Sequence, residues 1–218
     1  MNKRGTLSKV PEQYLSNMAA PLTHIFLAQV YLQKKTRHAS AKFFLGTSFP
    51  DIRYLGVIKR EQTHIKDPSL ARIDATINDF QAGMEFHAWV DIVRQKKFET
   101  SSLYSSDKTI IQAWKLIEDE VLREKISLTD LHRFQSYFNN VVQEERDFNI
   151  SDEAIKKWHS ILQTYFLEES ILKSQMQFMT DLTIPQERKN HIMKIANELR
   201  SSHEVLNLIQ DIYNHFFD

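Results

Sequence analysis

Two residues that could bind a metal ion together, His87 and Asp91, stand four positions apart in the stretch GMEFHAWVD. On a helix this spacing brings an imidazole and a carboxylate onto one face, with about 5–6 Å between their Cβ atoms. Three further groups of the same chemical type, His24, Asp51 and His64, precede them in the chain. Together the five residues predict a metal centre, and such centres usually carry out hydrolysis by activating water.

Each of these residues also has an ordinary structural interpretation. A single histidine is more often a surface or core residue than a ligand, and an aspartate directly after Pro50 is common in turns. Asp91 lies in the apolar stretch WVDIV, where a buried carboxylate is costly unless it is paired or binds a metal. Arg94, three residues later, is the alternative partner for Asp91. The metal interpretation therefore depends on the whole set.

The elements that must position these residues are predicted to be helices. The chain has only four glycines and five prolines, fewer than strand-rich or α/β folds generally use. We therefore expect an all-α fold, a single-domain multi-helix bundle. Apolar periodicity predicts helices at 21–35, 41–47, 80–97, 109–124, 129–143, 152–179, 185–199 and 204–217, with a largely irregular connection at 52–78 and a short helical turn after Pro68. Predicted capping residues are Asp79, Asp107, Ser127, Ser151 and Ser202.

The domain organisation follows from the same pattern. Residues 1–17 are expected to be a flexible leader, with Met18 as an alternative start, and residues 18–218 a single helical domain. Within it, residues 18–120 form the metal-site half and residues 121–218 the packing half. The sequence has no secretory signal and no apolar run of the ~18–20 residues that a membrane span needs. A cytoplasmic location is the prediction.

Charge and cysteine content restrict the possible functions. Lysine and arginine together number 28, as do aspartate and glutamate, so the net charge of +0 gives no broad signal for nucleic-acid binding. The absence of cysteine excludes disulfides and thiolate zinc sites. A metal must then be bound by imidazole and carboxylate groups, a combination that suits zinc, manganese or iron.

Four motifs in this order resemble the zinc-dependent phospholipase C superfamily, whose relatives include single-strand nucleases. They are PLTHIFLA with His24, FFLGTSFPDIRYL with Gly46 and Asp51, REQTH with His64, and FHAWVD with His87 and Asp91. The resemblance covers roughly residues 18 to 120. It implies an all-helical fold and metal-dependent hydrolysis of a phosphoester.

The resemblance also implies roles for the five residues. Asp51 would be a metal ligand or the general base toward the attacking water, and Asp91 would bridge two ions. One ion would be held by Asp51, His64, His87 and Asp91, and a second would share Asp91 with His24.

The sequence departs from the family pattern at two positions. Lys97 and Trp114 stand where the family places further imidazole ligands. Glu118 remains an additional candidate ligand, although the acidic run at 118–120 is more simply explained as a solvated helix face. Arg53 or Arg60 is expected to bind a phosphate group.

The resulting expectation is a hydrolase with one or two zinc ions, acting on a small-molecule or lipid phosphoester. Two alternatives stay open at this point. The chain could be a non-catalytic scaffold or interaction protein that retains the fold and has lost the metal site. It could also hold a single structural metal that stabilises the connection at 52–78.

Overall fold

Helices account for nearly all the regular structure of residues 21–35 and 40–218, the part of the chain that the computed structural model describes. In these residues there are eleven α-helices and two 3₁₀ helices, and no strand occurs. The all-α prediction is confirmed. The predicted leader at 1–17, together with Met18, lies outside the described residues. The α-helices are α1 (Pro21–Gln33), α2 (Ala41–Ser48), α3 (Leu70–Ala75), α4 (Asp79–Glu99), α5 (Lys108–Arg123), α6 (Leu128–Tyr137), α7 (Gln143–Arg146), α8 (Asp152–Leu167), α9 (Ile171–Asp181), α10 (Gln186–Arg200) and α11 (His203–Asn214).

Local side-chain hydrogen bonds fix most helix starts where they were predicted. The side chains of Asp107, Ser127, Ser151 and Ser202 each accept a hydrogen bond from a backbone N–H in the first turn of their helix. The prediction for α4 was wrong by one residue. Asn78 is the cap, accepting from the Gln81 amide at 3.0 Å, and Asp79 is the first helical residue.

Two predicted helices are shorter than expected. The helix predicted at 129–143 ends at Tyr137, and the separate short helix α7 follows it. The helix predicted at 152–179 is interrupted, because Glu168 adopts an extended conformation and the Ser170 side chain caps a new helix. Arg123 donates to the carbonyl oxygen of Phe166 at the end of α8 and so satisfies a carbonyl that the break leaves free.

The connection at 52–78 is more regular than predicted. Its first residues belong to a 3₁₀ helix, Phe49–Leu55, and a second 3₁₀ turn spans Arg60–Gln62. The helical turn predicted after Pro68 is α3, which the Ser69 side chain caps. The two 3₁₀ helices bring Asp51 and the segment before His64 against the buried side of α4.

Helices α2 and α4 pack with their backbones in direct contact. A Cβ atom at Gly46 would lie 2.0 Å from the carbonyl oxygen of Phe80, and one at Gly83 would lie 2.2 Å from that of Phe43. Only glycine fits at either position. This close approach carries α4 near the end of α2, where Thr47 lies.

The first turn of α1 is held by a buried carboxylate from α5. Asp119 accepts hydrogen bonds from the amides of Leu22 (3.1 Å) and Thr23 (2.8 Å) and from the Thr23 hydroxyl (2.9 Å). The Tyr165 hydroxyl donates to it as well, at 2.8 Å. A carboxylate at a helix N-terminus satisfies free N–H groups and interacts favourably with the helix dipole. This contact fixes the turn of α1 that carries His24.

Buried apolar side chains from both halves of the chain form one continuous core. Trp114 on α5 and Trp158 on α8 are among the largest fully buried residues. The indole N–H of Trp158 donates to the carbonyl oxygen of Ser48 at 3.2 Å and joins α8 to the end of α2. The C-terminal helices therefore support the elements that carry the predicted ligands. Among the described residues, no helix is long and apolar enough to cross a bilayer.

Candidate metal centre

Five of the predicted ligands come together from four parts of the chain. His24 is on α1, Asp51 is in the Phe49–Leu55 3₁₀ helix, His64 follows the Arg60–Gln62 turn, and His87 and Asp91 are on α4. The side chains of all five are at most 13% exposed. Residues far apart in the sequence therefore meet in one buried site.

His24, His87 and Asp91 form the centre of this site. Their ligand atoms all lie within 4.8 Å of one another, and among the described residues no other set of three does so. The Nε2 atom of His24 is 3.5 Å from Oδ1 of Asp91, and that of His87 is 3.7 Å from Oδ2 of Asp91. The two imidazole rings are stacked, with centroids 4.0 Å apart. This arrangement presents two nitrogens and one carboxylate to a common point.

Asp51 and His64 lie at the edge of that set. Oδ1 of Asp51 is 3.9 Å from Nε2 of His87, and Nε2 of His64 is 3.5 Å from Oδ2 of Asp91. The ring of His64 meets the ring of His87 edge to face, with centroids 5.1 Å apart. Both predicted residues therefore lie in the site, where Asp51 contacts His87 and His64 contacts Asp91 from the edge of the central set.

The tautomer of the neutral His87 ring is set by a backbone carbonyl. Nδ1 of His87 lies 2.8 Å from the carbonyl oxygen of Thr47, so Nδ1 carries the hydrogen and donates. Nε2 is then unprotonated, and its lone pair faces Asp51 and Asp91. Metal-binding histidines are commonly oriented by this kind of contact. The contact depends on the glycine-mediated packing of α2 against α4.

Four buried atoms in the site have no hydrogen-bond partner among the described residues. They are Nε2 of His24, Nε2 of His87, Oδ1 of Asp51 and Oδ2 of Asp91. Buried polar atoms are normally paired, because leaving one unpaired costs about 1–3 kcal/mol. These four atoms are all of metal-ligand types and form a set that could hold a cation.

The charge states of the site favour cation binding near neutral pH. Burial, followed by the proximity of His24, holds the pKa of His87 well below its usual value, so this imidazole is neutral. Burial also lowers the pKa of His64, although Asp91 opposes the shift. Burial would raise the pKa of Asp91, but the adjacent His87, His24 and His64 hold it well below its usual range. A neutral imidazole and an ionised carboxylate are the forms that bind metals.

Arg53 is part of the site in a way that sequence reasoning did not predict. Its Nη1 lies 2.9 Å from Oδ1 of Asp51, an ion pair by distance that lacks the angles of a hydrogen bond. The same Nη1 lies 3.0 Å from Nε2 of His64, which accepts the hydrogen bond. Arg53 also donates to the carbonyl oxygen of Pro50 and to the hydroxyl of Tyr54. A buried guanidinium therefore supplies positive charge between Asp51 and His64.

Glu118, the additional candidate ligand, lies in a different contact. It is fully buried, both of its oxygens accept hydrogen bonds from Arg94, and the Tyr213 hydroxyl donates to one of them. Arg94, the alternative partner predicted for Asp91, thus pairs with Glu118. Asp91 remains directed at the histidines. The interpretation of residues 118–120 as a solvated face was wrong, since Glu118 and Asp119 are both buried.

Five of the six predicted ligands therefore occupy one buried site, and its donor set suits a divalent ion. No protein-family model, curated protein or solved structure matches this chain. What the site can bind follows from its own side chains. Two imidazoles and a carboxylate fit zinc, manganese or iron, and three protein ligands leave a coordination position for water, as catalytic sites do.

A cavity of about 390 Å³ adjoins the site and contains residues that sequence reasoning missed. Asp91 lines it together with Arg60, Arg94 and Lys115. Lys115 is only 5% exposed, and burial, followed by the charge of Arg94, lowers its pKa to about 7. One signal in the sequence could have identified it, since Lys115 interrupts the apolar run AWKLI on α5. A lysine on the buried face of a helix requires a partner or a ligand.

Proposed function

We propose that this chain is a metal-dependent hydrolase that acts on a phosphoester. One observation carries the proposal: four buried ligand-type atoms on His24, Asp51, His87 and Asp91 converge and have no hydrogen-bond partner among the described residues. An ordinary core has no reason to leave four such atoms together without hydrogen-bond partners. A bound cation would compensate all four.

In this proposal His24, His87 and Asp91 hold one divalent ion. Zinc is the first choice, and manganese and iron remain compatible with the donor set. When bound, such an ion supplies Lewis-acid assistance and lowers the pKa of water toward ~7. The Thr47 carbonyl keeps the ring of His87 in the orientation and tautomer that binding requires.

Asp51 is the proposed proton acceptor. Its Oδ1 faces the site without a hydrogen-bond partner, 3.9 Å from Nε2 of His87. In the reaction, the oxygen of water forms a new bond to phosphorus while the ester P–O bond breaks. Asp51 accepts one proton from the water, and the leaving oxygen takes up a proton from solvent. The ion pair with Arg53 holds Asp51 in position for this step.

The resemblance to the zinc-dependent phospholipase C superfamily supports the same reaction class. Each of the motif residues His24, Asp51, His64, His87 and Asp91 contributes to one buried group, as a shared metal centre of that type requires. Gly46 of the same motif series lies where α2 meets α4. We therefore propose that the all-α fold is of this type.

The deciding experiment is elemental analysis of the purified protein by inductively coupled plasma mass spectrometry. We expect stoichiometric zinc, manganese or iron in the wild type and its loss in His87→Ala. His132→Ala, which removes an exposed imidazole on α6, is the matched control and should keep the metal. The metal-loaded wild type should hydrolyse p-nitrophenyl phosphate or bis(p-nitrophenyl) phosphate. Equal metal content in wild type and His87→Ala would overturn the assignment.

One observation favours a second candidate, a scaffold protein with a lost metal site. Arg53 already supplies positive charge to Asp51 and binds His64, so part of the site is compensated without any metal ion. This candidate predicts metal-free protein even after incubation with zinc, manganese or iron. Wild-type protein that takes up zinc tightly and stoichiometrically would exclude it.

A further inference from the structure

The cavity beside the metal centre lies between α4, α5 and the Arg60–Gln62 turn. Arg60, Arg94 and Lys115 bring three positive charges to its lining, against the carboxylates of Asp91 and the exposed Glu99. Because Asp91 lines the cavity and also contacts His24 and His87, the cavity and the metal centre share a wall. A molecule in the cavity would therefore be within reach of the centre.

The ammonium group of Lys115 makes no direct polar contact with the described residues around the cavity. Lys115 is only 5% exposed, and no hydrogen bond or ion pair engages its ammonium group within residues 21–35 and 40–218. The nearby carboxylate of Glu118 is bound to Arg94 and Tyr213. Because Lys115 is largely buried and lines the cavity, an anion bound there would supply the partner that its ammonium group lacks.

Arg60 supplies a second donor to the cavity lining. Its Nε atom is buried and has no hydrogen-bond partner in the described part of the chain. Its Nη2 atom lies 3.6 Å from Oδ2 of Asp91, which places the guanidinium between the cavity and the metal centre. A guanidinium with free N–H groups is well suited to a phosphate, which it can bind through two parallel hydrogen bonds.

We propose that this cavity binds the phosphate group of a small phosphomonoester, with Lys115 and Arg60 as its ligands. The inference rests on the proposed function, because it names the substrate class of the same site. An ammonium and a guanidinium group that both line the cavity match a phosphomonoester, which carries about −1.5 to −2 charges at pH 7. At about 390 Å³ the cavity is near the small end of the ~300–1,000 Å³ range of ligand sites. Apolar side chains such as Ile92 and Ile111 are a minority of its lining, which is unsuited to acyl chains.

The test is isothermal titration calorimetry with inorganic phosphate and metal-free protein. We expect the wild type to bind phosphate at millimolar concentration or below. Lys115→Met and Arg60→Gln should each weaken binding about tenfold or more, as expected for a lost charge-assisted hydrogen bond. Lys173→Met, at an exposed position on α9, is the matched control and should bind as the wild type does. No binding by the wild type, or unchanged binding by Lys115→Met, would overturn the proposal.

Two further ligands distinguish the possible sources of the phosphate group. Glycerol 2-phosphate, a monoester, should bind at least as well as inorganic phosphate, whereas dimethyl phosphate, a singly charged diester, should bind at least about tenfold more weakly. Equal binding of the diester, or failure of the monoester to bind, would contradict the assignment to phosphomonoesters. Since the titrations use metal-free protein and need no turnover, they separate this inference from the metal centre. If the protein binds phosphate but binds no metal, the phosphate site in the cavity is supported and the proposed metal-dependent hydrolase is overturned.

Discussion

Nη1 of Arg53 lies 3.0 Å from Nε2 of His64 and uses the lone pair with which this imidazole would bind a metal. The same atom lies 2.9 Å from Oδ1 of Asp51. Two of the five predicted ligands are therefore joined through a guanidinium, while His24, His87 and Asp91 remain together. This arrangement favours one ion in the centre over the two that the family resemblance implies.

Replacing Arg53 should change the metal stoichiometry. We expect one zinc per wild-type chain at saturation and two in Arg53→Met, because the substitution frees Asp51 and His64 to act as ligands. The metal-free variant should lose roughly 3–5 kcal/mol of unfolding free energy, since it leaves Asp51 buried without its cation. Elemental analysis and urea denaturation give the two quantities. Arg133→Met, at the surface of α6, is the control, and two zinc ions in the wild type would contradict the argument.

Replacing Gly83 by alanine should weaken the metal site from a distance. The added Cβ would meet the carbonyl oxygen of Phe43 at 2.2 Å and push α4 away from α2. We expect a loss of about 1–3 kcal/mol in stability and a ten- to hundredfold loss in zinc affinity, because His87 would lose the carbonyl of Thr47. Thermal melting and competition with a chromogenic chelator measure the two effects.

The control for that experiment is Gly56→Ala. Gly56 has a left-handed φ of 74°, and an added Cβ would meet no atom within 4 Å. This variant should lose about 1–2 kcal/mol through backbone strain and keep the zinc affinity of the wild type. If both variants lost zinc affinity equally, general destabilisation would explain the effect and the role of the α2–α4 contact would be wrong.

Lys115 should give the metal-free protein a distinctive pH dependence. In the folded state its pKa falls from 10.5 to about 7, and Arg94, Asp91, Asp51 and Glu118 are the charged groups around it. Between these two pH values the unfolded chain binds the proton and the folded chain does not, so stability rises with pH. Below pH 7 both states are protonated, and the folded state bears the full cost of burial.

Comparison with Lys115→Met isolates this effect. The variant should be more stable than the wild type at pH 6, by at most about 5 kcal/mol, and this advantage should shrink as pH rises toward 10. Urea denaturation at a series of pH values gives the difference. Parallel stability curves for the two proteins would show that the ammonium of Lys115 is compensated in the folded state.

Glu118 should be required for stability and dispensable for metal binding. Glu118→Gln removes the charge that pairs with the buried Arg94, and we expect a loss of about 3–5 kcal/mol. The folded variant should retain the zinc content of the wild type, because both oxygens of Glu118 are engaged away from the His24, His87 and Asp91 set. Denaturation and elemental analysis test the two statements, and a folded variant without zinc would instead support Glu118 as a ligand.

The sequence alone predicted the features that depend on local spacing. The positions of Asp107, Ser127, Ser151 and Ser202 marked four helix starts, because a capping side chain binds amides only two or three residues away. The i, i+4 spacing of His87 and Asp91 placed both on one face of α4, and their Nε2 and Oδ2 atoms are 3.7 Å apart. Scarcity of glycine and proline indicated the helical fold class.

Only the tertiary structure decided the contacts between residues distant in the chain. The Asp119 carboxylate holds the start of α1, Arg94 pairs with Glu118, and Lys115 faces a cavity shared with Asp91. No periodicity in the sequence identifies such partners, because a buried charged side chain pairs with the opposite charge that lies near it after the helices have packed.

The helix breaks after Tyr137 and Leu167 were missed for a related reason. The apolar period continues across both breaks, while at the end of α8 a backbone carbonyl is satisfied by Arg123 instead of by a further helical turn. The sequence thus determined which side chains could bind a metal, and the packing of α2 on α4 through Gly46 and Gly83 decided which of them meet.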